Sequence, residues 1–218
     1  FILVLVLTTT AGLALAAGPF DDSPRFRPTT SQRVESRSQQ VQVAQISPVA
    51  EPLTDEQQAL VDWAIGRFAL AGLELPELTV RFDPSQELCG WAEGLYRHSP
   101  ARGSVVTICA PDADTFAAEL QARRTLLHEF AHAWDLTNLS DEDRLELSRI
   151  LGTEGWLAED AAWTDRGAER FAETFVFALL DQPRRVLKVS LDCSVVLDAF
   201  RTATGAEPLG PGLPTCAD

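Results

Sequence analysis

Positive charge is scarce in this chain. Among 218 residues, Lys and Arg number 18 against 32 Asp and Glu, the formal net charge is −14, and Lys188 is the single lysine. That balance excludes nucleic acid as a partner, because neutralising phosphates needs clustered Lys and Arg. No CxxC pair occurs, which excludes the usual zinc–thiolate site. No segment repeats at a period of about 20–50 residues, which excludes a solenoid. Methionine is missing altogether, and Tyr96 is the only tyrosine. Beyond residue 17 no run is long and apolar enough to span a bilayer. What remains is 45% hydrophobic and 23% charged, a globular composition of about one domain's length.

Residues 1–17 read FILVLVLTTTAGLALAA and carry no charge. The run reads as the apolar part of a secretory signal that lacks its basic start. Ala14-Leu15-Ala16 fits the small-x-small cleavage pattern and places the mature start near Ala17. A retained membrane anchor is the competing reading. Residues 18–52 are rich in Pro, Ser, Gln and Arg and balance four acidic residues with four Arg. With no persistent period, they read as a flexible linker or pro-segment. The negative charge therefore falls on residues 53–218, as a solvated acidic surface. Four cysteines behind a signal point to two disulfides in a secreted or extracytoplasmic protein. Of three possible pairings, Cys89–Cys109 and Cys193–Cys216 each close a short local loop and are favoured.

Order is expected from Thr54, where Thr54-Asp55-Glu56-Gln57 resembles a capping box. Leu60, Val61, Ala64, Ile65 and Phe68 then recur at helical spacing, up to a stop at Gly72. Leu78–Phe82 alternates like a strand. Leu88–Arg97 and Ser104–Cys109 form a predicted hairpin around His98–Gly103, with Tyr96 opposite Val105, which brings Cys89 near Cys109. A long helix capped by Asp112 or Asp114 follows to about Leu136, and Ser140 with Asp143 opens another that stops at Gly152. Residues 153–164 read as a loop. Helices over about Asp165–Leu180 and Leu191–Thr204 complete the domain, which is α+β with a small antiparallel sheet followed by helices.

The chemistry concentrates in His128-Glu129-Phe130-Ala131-His132, an HExxH motif that holds two of the three histidines. On a helix, positions i and i+4 share a face, so both imidazoles can reach one metal ion. Zinc accepts neutral imidazole nitrogen and activates water, and Glu129 is the candidate base for that water's proton. A third ligand must be a carboxylate. His98 lies in the hairpin turn, and the positions that would supply a downstream histidine are Asp135 and Asn138. Glu169-Arg170-Phe171-Ala172-Glu173 offers two acids at i and i+4. One can bind the metal while the other accepts an imidazole N–H. Asp135 reads as a polar residue near the helix end. Trp134, Trp156 and Trp163 divide between core and cleft. Asn138-Leu139-Ser140 fits either a glycosylation acceptor or a helix cap.

These two motifs together resemble the gluzincin metallopeptidases, and within them the catalytic domain of the anthrax lethal factor-like group, over roughly residues 104–181. The resemblance implies His128, His132 and Glu169 as zinc ligands, Glu129 as base and Glu173 as a support behind the ligands. It implies zincin-type active-site helices and a secreted zinc metallopeptidase that hydrolyses peptide bonds. A peptide or protein substrate is then the expected partner. Nucleic acid, stable membrane insertion after signal cleavage and a second copy of the chain are not expected. The chain departs from that pattern in lacking a tyrosine shortly before Glu169; Arg166, Tyr96 or His98 is left to stabilise an oxyanion. That departure leaves open a second reading, a metallopeptidase-fold binding module that is catalytically weak or inactive. The strand Ser104–Cys109 is expected to offer an open edge to an extended peptide.

Overall fold

A computed structural model describes residues 52–83, 85, 87–109, 116–181 and 188–209. The expected signal and all but the last residue of the expected linker over 18–52, the expected caps Asp112 and Asp114, and Cys216 lie outside the described residues. Residues 48–218 cluster as one compact unit. Among the described residues, five α-helices and a three-stranded sheet make it α+β, in the order α1 (Asp55–Leu70), β1 (Leu78–Phe82), β2 (Gly94–Ser99), β3 (Gly103–Ile108), α2 (Phe116–Asn138), α3 (Asp141–Ile150), α4 (Gly167–Leu179) and α5 (Cys193–Thr204). No described helix is long and apolar enough to cross a membrane.

Local chemistry sets the helix ends. Thr54 Oγ1 accepts from Gln57 N at 3.2 Å while Gln57 Oε1 accepts from Thr54 N at 3.1 Å, which closes the expected capping box. Ser140 and Asp143 repeat the device at α3. Asn138 Nδ2 donates to Trp134 O at 2.9 Å, so this segment serves as a helix junction. On α1, Leu60, Val61, Ala64 and Phe68 are buried; Ile65, expected in the same stripe, is exposed instead.

The sheet corrects the expected antiparallel arrangement, because it is mixed. The strand order is β1-β3-β2, with β1 parallel and β2 antiparallel to β3. The hairpin folds back so that β3 enters between its partners, a direction that side-chain alternation does not encode. β3 is therefore the middle strand, with both edges paired, and the open edge beside the helices belongs to β2. The register also shifts by one: Tyr96 faces Val106, because Ser99 pairs with Gly103 around a three-residue loop. Gly103 supplies the φ of +69° that such a loop demands. β2 starts at Gly94 rather than Leu88. Upstream, the Asp83 carboxylate accepts from the N–H groups of Ser85 and Leu88 and bends that segment into turns. The Cys89–Cys109 disulfide then ties the turn to the end of β3. Cys193, at the start of α5, belongs to the second expected bridge, whose partner is undescribed.

The core is aromatic. Phe68, Phe130, Phe171, Phe175 and Phe200, from four helices, meet with ring centroids 4.9–6.2 Å apart. α4 runs through its centre, with eleven of its thirteen residues buried. The loop over 153–166 is strapped to the start of α4 by Arg170, whose guanidinium donates to Thr164 O at 2.7 Å, Leu151 O at 2.8 Å and Asp165 Oδ1 at 2.9 Å.

Candidate metal centre

Two helices build the site. α2 presents His128 and His132 one turn apart, and α4 crosses it with Glu169 and Glu173, again one turn apart. The sequence spacing thus gives two pairs, and the packing of α2 on α4 sets them face to face. His128 Nε2 lies 3.0 Å from Glu169 Oε2 and 3.2 Å from His132 Nε2, and His132 Nε2 lies 3.4 Å from the same carboxylate oxygen. Tetrahedral bonds of about 2.0–2.1 Å imply donor separations of roughly 3.3–3.4 Å. The triangle of two imidazoles and one carboxylate therefore fits a metal ion, and His128, His132 and Glu169 form a possible metal-binding triad.

The surrounding charges also favour a cation. Burial opposes a proton on His128, yet hydrogen bonds to Glu169 and Glu173 and the nearby Glu129 outweigh it and push its pKa up to about 10. Burial raises the Glu169 carboxyl, but hydrogen bonds from His128 and His132 prevail and hold it well below the usual carboxylate range. Burial pushes the Glu129 carboxyl up, against the opposing pull of His128 and His132.

Glu173 separates from Glu169 in role. Its Oε1 lies 3.3 Å from His128 Nδ1, the far side of the ring, while Oε2 accepts from the backbone N–H of Lys188 at 3.1 Å. Arg124 adds a guanidinium 3.9 Å away. A carboxylate only 2% exposed is thereby compensated. It is also placed to hold the proton on His128 Nδ1, which leaves Nε2 free to bind. Trp163 stacks on His128 with centroids 5.8 Å apart, and Tyr96 stacks on His132 at 6.5 Å.

The centre opens into a cleft of about 1180 Å³. Glu129, Tyr96, Trp163 and Arg166 line it, whereas His98 does not. Tyr96 and His98 both bond to Ser104 Oγ at 3.1 Å. Arg166 is engaged with Ala161 O and Glu159 O. Trp134 belongs to the core, and Trp156 lies between core and cleft.

Sequence reasoning missed several residues here. Asp135 is no helix-end ornament: it is 7% exposed and binds Arg144 Nε at 2.8 Å and Trp156 Nε1 at 2.9 Å. Glu93 pairs with Lys188 across the cleft. Gly94 lets β2 approach α2 so closely that a Cβ there would sit 2.7 Å from Glu129 Oε1. Only the solitary lysine stood out beforehand, and nothing in the sequence placed it. The chain matches no protein-family model, no curated protein and no solved structure.

Proposed function

We propose that this chain is a zinc-dependent peptidase working outside the cytoplasm. The observation that carries the reading is the convergence of His128, His132 and Glu169 to 3.0–3.4 Å, with Glu129 buried beside them and an open cleft in front. Two imidazoles and a carboxylate, with room for one more ligand, are the donor set of hydrolytic zinc sites. Zinc, when bound, supplies Lewis acidity toward water and a carbonyl.

The chain's own groups supply the rest. Glu129, whose burial favours its protonated form, is the base that takes a proton from water and returns it to the leaving amine. Glu173 keeps His128 in the tautomer whose Nε2 faces the centre. Tyr96, whose hydroxyl bonds Ser104 Oγ, and Arg166, held to Ala161 O and Glu159 O, are donors lining the cleft that would have to turn toward a developing oxyanion; His98 lies outside it. The cleft runs along α2 from Arg124 to Leu136, an elongated shape that favours a peptide segment as substrate. The Cys89–Cys109 bridge and the apolar leader support export to an oxidising compartment.

The test pairs zinc analysis with peptide-library cleavage for the full chain and Glu129→Gln. About one zinc per chain in both, with cleavage only in the parent, is expected. Equal cleavage by the variant refutes Glu129 as base. Zinc retained with no cleavage in either protein assigns the fold to a binding module.

A further inference from the structure

Seven large apolar side chains are exposed among the described residues, and four of them, Trp91, Leu136, Leu145 and Leu157, line the one cleft that holds the metal centre. Scattered exposed leucines need no explanation, but their gathering on a single concave surface does. Leu136, Leu145 and Leu157 are 44%, 55% and 73% exposed and come from α2, α3 and the loop before α4.

Their presentation is built, not accidental. Each leucine follows directly a residue of one part-buried polar clamp: Leu136 follows Asp135, Leu145 follows Arg144, and Leu157 follows Trp156. The Asp135 carboxylate receives the Arg144 guanidinium at 2.8 Å on one oxygen and the Trp156 indole N–H at 2.9 Å on the other, and Asp135 O takes a second Arg144 nitrogen at 3.2 Å. One carboxylate thus ties together the three elements that carry these leucines, and all three leucines line the cleft, whose leucine-bearing part forms a lobe. Leu136 continues the stripe His128, His132 at the next i+4 position, so the lobe begins about one helical turn, roughly 5.4 Å, beyond a metal ligand.

We propose that this lobe is a specificity subsite that seats a bulky aliphatic side chain of a peptide lying across the metal centre. The inference rests on the peptidase reading for its substrate class. From Arg124 to Leu136 the cleft follows twelve residues of α2, about 18 Å, which an extended peptide of about five residues spans. Asp141, Arg149 and Glu154 line the same cleft and can meet a peptide's amides, a mixture that suits a polypeptide and not a bilayer.

Binding tests this separately from cleavage. The probes are acetyl-Ala-Ala-Leu-Leu-Ala-Ala-amide and its Ser-Ser counterpart. Each is titrated calorimetrically into the full chain carrying Glu129→Gln and one equivalent of zinc. The leucine peptide is expected to bind about tenfold or more tightly, as burial of an aliphatic side chain dictates. Adding Leu145→Ser and Leu157→Ser, both at exposed positions that leave the core intact, is expected to bring the two affinities within about threefold. Equal affinities at the outset, or a preference that survives both substitutions, overturns the subsite. Sedimentation at micromolar concentration is expected to show a monomer; a dimer that the two serines dissolve assigns the leucines to a second copy and overturns it as well. Cleavage of both peptides is assayed with the parent chain: a parent that cuts neither, while the variant prefers leucine, keeps the subsite and loses the peptidase reading. One that cuts both, while the variant binds them equally, does the reverse.

Discussion

Replacing Gly94 with alanine drives a methyl group into the wall of the cleft. The added Cβ would lie 2.4 Å from Thr125 Cγ2, 2.7 Å from Glu129 Oε1 and 2.9 Å from Glu129 Cγ, where ordinary contact begins at 3.4 Å. Thr125 and Glu129 sit on α2 and are 4% and 6% exposed, so neither can swing out to solvent. Relief requires β2 to retreat by about 1 Å or Glu129 to change rotamer. Overpacking of this kind costs about 1–3 kcal/mol. In a domain of this size each kcal/mol lowers Tm by about 2–4 °C, so a fall of about 2–12 °C is expected by calorimetry. A base misplaced by about 1 Å costs roughly a hundredfold in turnover. Zinc content should hold near one per chain, because none of the atoms that clash with the new methyl belongs to His128, His132 or Glu169. Gly66→Ala is the control: it lies on α1, its Cβ meets nothing within 4 Å, and it is expected to gain about 0.5–1 kcal/mol. A Gly94→Ala protein with parental Tm and parental turnover refutes the close approach and the role it gives Glu129.

Three further outcomes follow from the geometry. Glu173→Gln keeps a hydrogen-bond acceptor near His128 Nδ1 but removes the charge, and should weaken zinc binding by about 10–100-fold in competition with a chromogenic chelator; unchanged affinity removes Glu173 from the site's support. Asp135→Ala takes one carboxylate from both the Arg144 guanidinium, which keeps Asp141 and the Asp135 carbonyl, and the Trp156 indole, and should destabilise the fold by about 1–3 kcal/mol in urea unfolding, with Asp135→Asn restoring part of it; a loss under about 0.5 kcal/mol refutes the clamp. Opening the Cys89–Cys109 bridge by Cys89→Ala with Cys109→Ala should cost about 3 kcal/mol in the same assay, from a sequence separation of 20; no change in midpoint refutes it.

The metal triad was legible because its spacing is local: His128 and His132, like Glu169 and Glu173, need only a helix to share a face. Assigning Glu169 to the ion and Glu173 to the far side of His128 was implied by resemblance; the structure sets Glu169 beside His128 Nε2 and Glu173 beside His128 Nδ1. Helix caps were legible for the same reason, since Thr54 with Gln57 and Ser140 with Asp143 close within three residues. Strand direction was not. Alternation reports which faces are buried, and β1 alternates identically whether its neighbour runs with it or against it. The one-residue shift of Tyr96 to Val106 arose from loop length at Gly103, a backbone preference with no mark in the hydrophobic pattern. Asp135, Glu93 and Lys188 escaped because their partners lie 9–95 positions away, and polarity alone does not announce a distant partner.

Arg170 stands next to Glu169 on α4, and its guanidinium carries bonds to Leu151, Thr164 and Asp165 at both ends of the loop that bears Trp156, Leu157 and Trp163. The metal's carboxylate and the cleft's outer wall therefore share a single helical step. Thermodynamic reciprocity follows: whatever factor a settled loop adds to ion affinity, a bound ion must return to any occupant that settles the loop. On the proposed function the cleft would then be a two-input device, in which any help the ion gives a peptide is matched by the help the peptide gives the ion.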